Sequence, residues 1–170
     1  MPVLPIHQRA VLASALALGM STPFVGAAEL EAFEGRYQTK SSNCQLIPTT
    51  GQKRGCGLVQ IDGRTPEIIS IRFVGAGDQR GSSQRLTFVV SELSTTPVLT
   101  CSRGNCQLKP TSWEGKINSV SEANYDADGL AEGVPKAWAV SQGNCNVQAS
   151  RISCRADRPA GGGVSAEAQL

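Results

Sequence analysis

Histidine is almost absent from this chain of 170 residues: His7 is the only one. Residues 1–27 have the pattern of a secretory signal peptide, in which Arg9 precedes an apolar run and small residues ending at Ala27 precede the expected cleavage site. Because cleavage would remove His7, we expect the mature chain to contain no imidazole. This excludes Ser-His-Asp and Cys-His catalysis, and it excludes the imidazole ligands that zinc and copper sites ordinarily use.

The sequence also lacks a concentration of charge of one sign. It has 16 Lys and Arg against 14 Asp and Glu. Basic residues are scattered from Arg36 to Arg158, and only Lys53 and Arg54 are adjacent. A surface that binds phosphates needs clustered basic residues, so we expect neither nucleic acid nor an anionic membrane as a partner.

Long apolar runs and known hydrolase motifs are missing as well. No stretch after residue 27 approaches the roughly 18 apolar residues that a membrane span needs, so we expect no membrane-spanning segment there. Neither Gly-x-Ser-x-Gly nor Ser-x-x-Lys occurs. Catalysis by paired carboxylates needs no histidine, and a carboxylate-based hydrolase is therefore the enzymatic alternative. Its candidate residues fall in one region of the sequence: Glu114, Asp126, Asp128 and Glu132.

Six cysteines are present, without the Cys-x-x-Cys spacing of a redox centre. Structural disulfides are the better interpretation, and they indicate a periplasmic or secreted protein. Pairing in sequence order would close three short loops, although joining Cys44 to a late cysteine is an open alternative. The sequential pairs are Cys44 with Cys56, Cys101 with Cys106, and Cys145 with Cys154.

The pattern between the cysteines is mostly that of β-strands. Residues 57–62, 67–74 and 85–90 are rich in β-branched and aromatic residues and partly alternate, as strands with one buried face do. Further strands are predicted at 36–40, 113–120 and 136–141. The sequence therefore predicts an all-β fold, a small disulfide-bridged antiparallel β-barrel or sandwich, formed by a single domain at 28–156.

Few segments depart from the β pattern. Short helical turns are predicted at 29–33 and 127–132. The Pro- and Gly-containing segment 157–170 has the composition of a flexible tail.

One short motif resembles a known family. Gly35-Arg36-Tyr37 is similar to the Gly-x-Trp opening of the lipocalins, with Tyr in place of Trp and no second motif downstream. This resemblance implies a barrel that holds a small apolar ligand. The alternative is that Tyr37 and the preceding Phe33 pack the first strand.

The segment 124–132 places oxygen-bearing side chains at alternate positions before a glycine. Asp126 and Asp128 imitate the first half of a calcium loop, but Pro135 stands where an EF-hand has a glutamate. An Asp-Gly turn is the favoured interpretation, and calcium binding stays open. Trp113 and Trp138 are expected in the core, or alternatively on a recognition face.

We expect an exported, non-catalytic binding module of the cell envelope or medium, with a protein or small ligand as partner and no cofactor or metal. Two polar loops, 75–83 and 124–135, are the segments expected to meet that partner. An inhibitor of an envelope lysozyme or protease is one form that such a module takes. The alternatives are the small apolar-ligand barrel and the carboxylate-based hydrolase.

Overall fold

The computed structural model describes residues 35–109 and 112–170, all of which belong to one compact unit. The described chain is built from β-strands, which confirms the predicted all-β class. The predicted signal peptide and the predicted helical turn at 29–33 lie outside the described residues. The strands are β1 (Gly35–Lys40), β2 (Cys44–Ile47), β3 (Arg54–Gly55), β4 (Leu58–Thr65), β5 (Ile68–Ala76), β6 (Ser83–Ser91), β7 (Leu99–Ser102), β8 (Gly104–Leu108), β9 (Ser112–Tyr125), β10 (Lys136–Ala139), β11 (Gly143–Gln148), β12 (Arg151–Asp157) and β13 (Gly163–Gln169).

These strands form one sheet in the order β3-β2-β13-β12-β11-β9-β6-β5-β4-β1-β8-β7. Neighbours are antiparallel except β1 and β8, which are parallel. Within the described residues, β3 and β7 stand at opposite ends of this path and share no ladder, so the sheet is open. β10 lies off the path and pairs with β9.

Alternation along the central strands, most regular in β6, separates a buried face from an outer one. In β6, every second residue from Gln84 to Val90 is buried while the residues between are half-exposed. Register keeps the buried positions together, since Phe88 of β6 pairs with Ile71 of β5 and with Val120 of β9. Phe73 and Phe88 meet edge to face at 5.9 Å between ring centres and fill the middle of the core.

All three disulfides join cysteines in the predicted sequential order. Cys101–Cys106 links β7 to β8, and Cys145–Cys154 links β11 to β12. Cys44–Cys56 ties the start of β2 to the residue after β3. No free cysteine occurs within 35–109 and 112–170, because all six cysteines are paired in these disulfides.

The prediction of a flexible tail at 157–170 is wrong. β13 lies between β12 and β2, and its alternate residues Val164, Ala166 and Ala168 are buried. Three of its seven residues are alanine or glycine, which have low intrinsic strand propensity, and the period-two pattern is carried by small side chains. Pairing on both edges and burial of one face override that low propensity.

The predicted helical turn at 127–132 is also wrong, because this segment is a loop with turns between β9 and β10. The Asp-Ala-Asp-Gly sequence satisfies its own backbone through side-chain hydrogen bonds, which compete with helix formation. Within the part of the chain that the structure describes, no helix is long and apolar enough to cross a membrane.

The position of β13 predicts opposite effects for two neighbouring substitutions. Ala166→Asp places an unpaired carboxylate in the core and should lower the free energy of unfolding by more than about 2 kcal/mol. Ser165→Asp points the same group outward and should change it by less than about 0.5 kcal/mol. Chemical denaturation of both variants measures the difference, and equal small effects would contradict burial of β13.

Candidate functional site

The two loops that the sequence singles out lie side by side at one end of the sheet. β6 begins at Ser83 directly opposite Tyr125, the last residue of β9. The loop before Ser83 and the loop after Tyr125 therefore emerge together. At their contact, a Cβ atom added at Gly81 would lie 3.0 Å from the Cβ atom of Ala127. We call residues 77–82 and 126–135 together the two-loop surface.

The first loop is closed by Ser82. Its backbone carbonyl accepts a hydrogen bond from the Gly77 amide at 2.9 Å, and its amide donates to the Gln79 carbonyl at 3.1 Å. Its hydroxyl donates to the same Gln79 carbonyl at 2.7 Å and accepts from the Gln79 amide at 3.0 Å. Asp78 in addition forms an ion pair with Arg54 of β3 at 2.7 Å. These bonds hold the loop in one conformation.

The second loop is organised by Asp126. Its Oδ1 atom accepts hydrogen bonds from the amides of Asp128 at 3.0 Å and Leu130 at 2.8 Å. The Asp126 amide donates to the Leu130 carbonyl at 2.9 Å, and Gly129 adopts a φ of +81°, which favours glycine. The motif therefore folds as an Asp-Gly turn, with the Asp126 carboxylate used as a backbone acceptor.

Two large apolar side chains project from this well-bonded loop. Leu130 is 67% exposed and Val134 is 90% exposed. They are flanked by the exposed acidic residues Asp128 and Glu132. An ordered loop that holds apolar side chains in water, with carboxylates around them, has the features of a protein-recognition surface.

The four carboxylates proposed for a hydrolase are not brought together. Asp126, Asp128 and Glu132 lie in the second loop, whereas Glu114 lies near the other end of β9. Twelve residues separate Glu114 from Asp126 along the chain, which spans up to about 40 Å in a strand. Across 35–109 and 112–170, no group of three or more His, Cys, Asp or Glu residues is arranged to hold a metal ion.

One acidic residue that sequence reasoning missed is buried. Glu122 of β9 is only 8% exposed and lies on the core face, opposite Leu86. Its carboxylate accepts hydrogen bonds from the amide and, at 2.7 Å, from the hydroxyl of Thr49. Thr49 follows β2, so this contact fastens the β2–β3 connection to β9. The alternation through Val120 was the available signal, since Glu122 continues the same face.

The aromatic residues are mostly explained by packing. Trp113 is 4% exposed, and the half-buried Tyr37 and Trp138 pack against the core. The largest fully buried side chains are those of Phe73 and Phe88, which fill the core. Phe33 lies outside the described residues.

Replacement of Asp126 tests the turn. Asp126→Ala removes the acceptor of two amides, so hydrogen exchange at Asp128 and Leu130 should quicken about fivefold, equivalent to about 1 kcal/mol of local opening. Asp128→Ala is the matched control, because within the described chain its carboxylate accepts no hydrogen bond. Exchange resolved by NMR measures both. Unchanged exchange in Asp126→Ala would contradict the turn.

Comparison with known proteins adds no assignment to this geometry. No protein-family model matches the chain, and no curated protein or solved structure matches it significantly. The two-loop surface is therefore identified as a candidate site from its contacts and its exposed side chains alone.

Proposed function

We propose that this protein is an exported, non-catalytic binding module that holds a protein partner through the two-loop surface. The observation that carries the proposal is the exposure of Leu130, which lies in the hydrogen-bonded turn, and of Val134, four residues further along the same loop. Covering an exposed apolar side chain with a partner is favourable because it removes apolar surface from water. Because the turn at 126–130 is already ordered, little conformational entropy is lost there on binding.

Charge indicates the kind of partner. The second loop carries Asp126, Asp128 and Glu132 around its apolar side chains. A complementary protein presents an apolar depression with basic residues at its rim. A cationic envelope lysozyme, or a protease with a basic rim around its cleft, fits this description, and an inhibitor is the finer form of the proposed function.

The scaffold supports the same function. We infer that the sheet curls into a partly closed barrel, because the β2–β3 segment approaches β5 and β9. A Cβ atom at Gly75 of β5 would lie 2.5 Å from the Gly55 carbonyl oxygen of β3, so the two backbones are in close contact. Thr49 reaches Glu122 on β9. A curled sheet with three disulfides holds its end loops at fixed positions.

The cellular location follows from the same chemistry. Three disulfides are consistent with an oxidising compartment, and the proposed location is the periplasm or the medium. No observation favours the carboxylate-based hydrolase, because Glu114 lies near the other end of β9 from the three carboxylates of the second loop. None favours the apolar-ligand barrel, because large side chains fill the core.

A capture experiment tests the proposal. The oxidised chain is immobilised and exposed to envelope and culture-medium fractions of its own host, in parallel with Leu130→Ser/Val134→Ser. We expect one or more proteins to bind the unmodified chain and to be depleted at least about tenfold by the double substitution, since two buried apolar anchors are lost. Quantitative mass spectrometry measures the ratio.

Ile68→Ser is the control, because it removes a half-buried apolar side chain at the start of β5, the opposite end of that strand from the first loop. It should capture the same proteins in the same amounts. Thermal melting verifies that each variant is folded. Proteins that bind all three chains equally, or no bound protein at all, would contradict the proposed function.

A further inference from the structure

The outer face of β1, β4, β5 and β6 gathers basic residues that are far apart in the sequence. Register explains this: outward positions of one strand lie opposite outward positions of the next, so Arg36 faces Asp62, and Asp62 faces Ser70. The bulge between Gly63 and Thr65 leaves Arg64 on the same side. We call the set the arginine face; it comprises Arg36, Lys40, Arg64, Arg72 and Arg85.

The carboxylate of Asp62 contacts two arginines of this face. Asp62 accepts hydrogen bonds from Arg36 Nε at 2.6 Å and Nη2 at 3.2 Å, and Arg72 Nη2 lies 3.4 Å from it. Arg64 instead donates to the Ser70 hydroxyl at 2.8 Å, and the Arg85 guanidinium stacks 3.6 Å above the ring centre of Tyr125. Within 35–109 and 112–170, the ion pairs of these basic residues are with Asp62 alone. Positive charge is therefore in excess.

The guanidinium of Arg72 lies near charges of both signs. Burial has the largest effect on the pKa of Arg72 and lowers it; the Asp62 carboxylate has the next largest effect and raises it, and the positive charges of Arg36 and Arg85 lower it. The guanidinium is therefore partly dehydrated, with one carboxylate beside it and two further arginines nearby. An incoming anion at this position would be screened less than on an open surface.

Neutral hydrogen-bonding groups lie on both sides of Arg72. Gln60 accepts from Arg72 Nη1 at 3.0 Å and donates to Gln38 at 2.7 Å, which orients both amides on the sheet. Thr87 lies opposite Arg72 in the same row. Fixed guanidinium forks suit planar carboxylates, and amides or hydroxyls between them suit sugar hydroxyls.

We propose that the arginine face binds an acidic polysaccharide, with uronate-type carboxylates at the arginines and sugar hydroxyls at the amides. Single-stranded nucleic acid is the less suitable ligand because it stacks its bases on open aromatic rings, and the ring beside this face, Tyr125 of β9, is covered by Arg85. The scatter of basic residues along the sequence led us to expect no basic surface. Strand pairing creates one from residues up to 49 positions apart, Arg36 to Arg85.

Binding of the intact chain to polygalacturonate tests the proposal, with neutral dextran, single-stranded DNA and anionic phospholipid vesicles alongside. We expect polygalacturonate to bind at low salt, to weaken as salt rises, and to bind more tightly than DNA or vesicles, with dextran unbound. Arg64→Gln/Arg85→Gln should reduce the affinity at least about tenfold, because two guanidinium contacts are lost while the Arg36–Asp62 pair that stabilises the sheet is kept.

Arg151→Gln/Arg155→Gln is the matched control, since it removes the same charge from exposed sites on β12, three strands away from β6. It should reduce the affinity less than about twofold. Equal losses in both pairs, no binding to polygalacturonate, or tighter binding to DNA or vesicles would each overturn the proposal. Leu130→Ser/Val134→Ser should bind polygalacturonate normally, so failure of this inference and failure of the two-loop proposal are distinguishable.

Discussion

The pairing of the long strand β9 on both of its edges is the constraint on which the rest of the structure depends. It has 14 residues; those from Lys116 to Tyr125 pair with β6 along one edge, and β11 and then β10 pair along the other. Both halves of the sheet meet there, and the Glu122 carboxylate holds the β2–β3 connection against it. Because Ser83, the first residue of β6, pairs with Tyr125, the last residue of β9, the loop that leaves β9 emerges beside the loop that enters β6.

Alternation gives the two faces of the same strands different chemistry. One face buries Phe73, Phe88 and their neighbours, and it supplies most of the hydrophobic stabilisation. The other face carries the arginines, ordered by Asp62, Ser70 and Tyr125. The end of the sheet carries the acidic two-loop surface. The two proposed binding surfaces are thus of opposite charge and are set by a single register, which allows a protein and an acidic polymer to be held at different places.

The sequence predicted the elements that depend on local information. Strands β4, β5 and β6 have strong β-branched patterns, and the short loop between Cys101 and Cys106 indicated their disulfide. The sequence pattern did not predict β13, whose alternating Ala, Ser and Glu residues form a strand because β2 and β12 pair with it. The two loops were predicted as partner-binding segments because a polar composition can be recognised within a short stretch of sequence. Their contact at Gly81 and Ala127, and the convergence of Arg36 with Arg85, are long-range consequences of register that composition does not contain.

The contact between the two loops is the central claim, and NMR measures it without altering the chain. The account predicts a nuclear Overhauser effect between the α protons of Gly81 and the methyl protons of Ala127, because the space beside Gly81 is closed by that methyl group. The effects within each loop, such as those between Gly77 and Ser82, serve as internal references. Observation of the references without the Gly81–Ala127 effect would contradict a single two-loop surface.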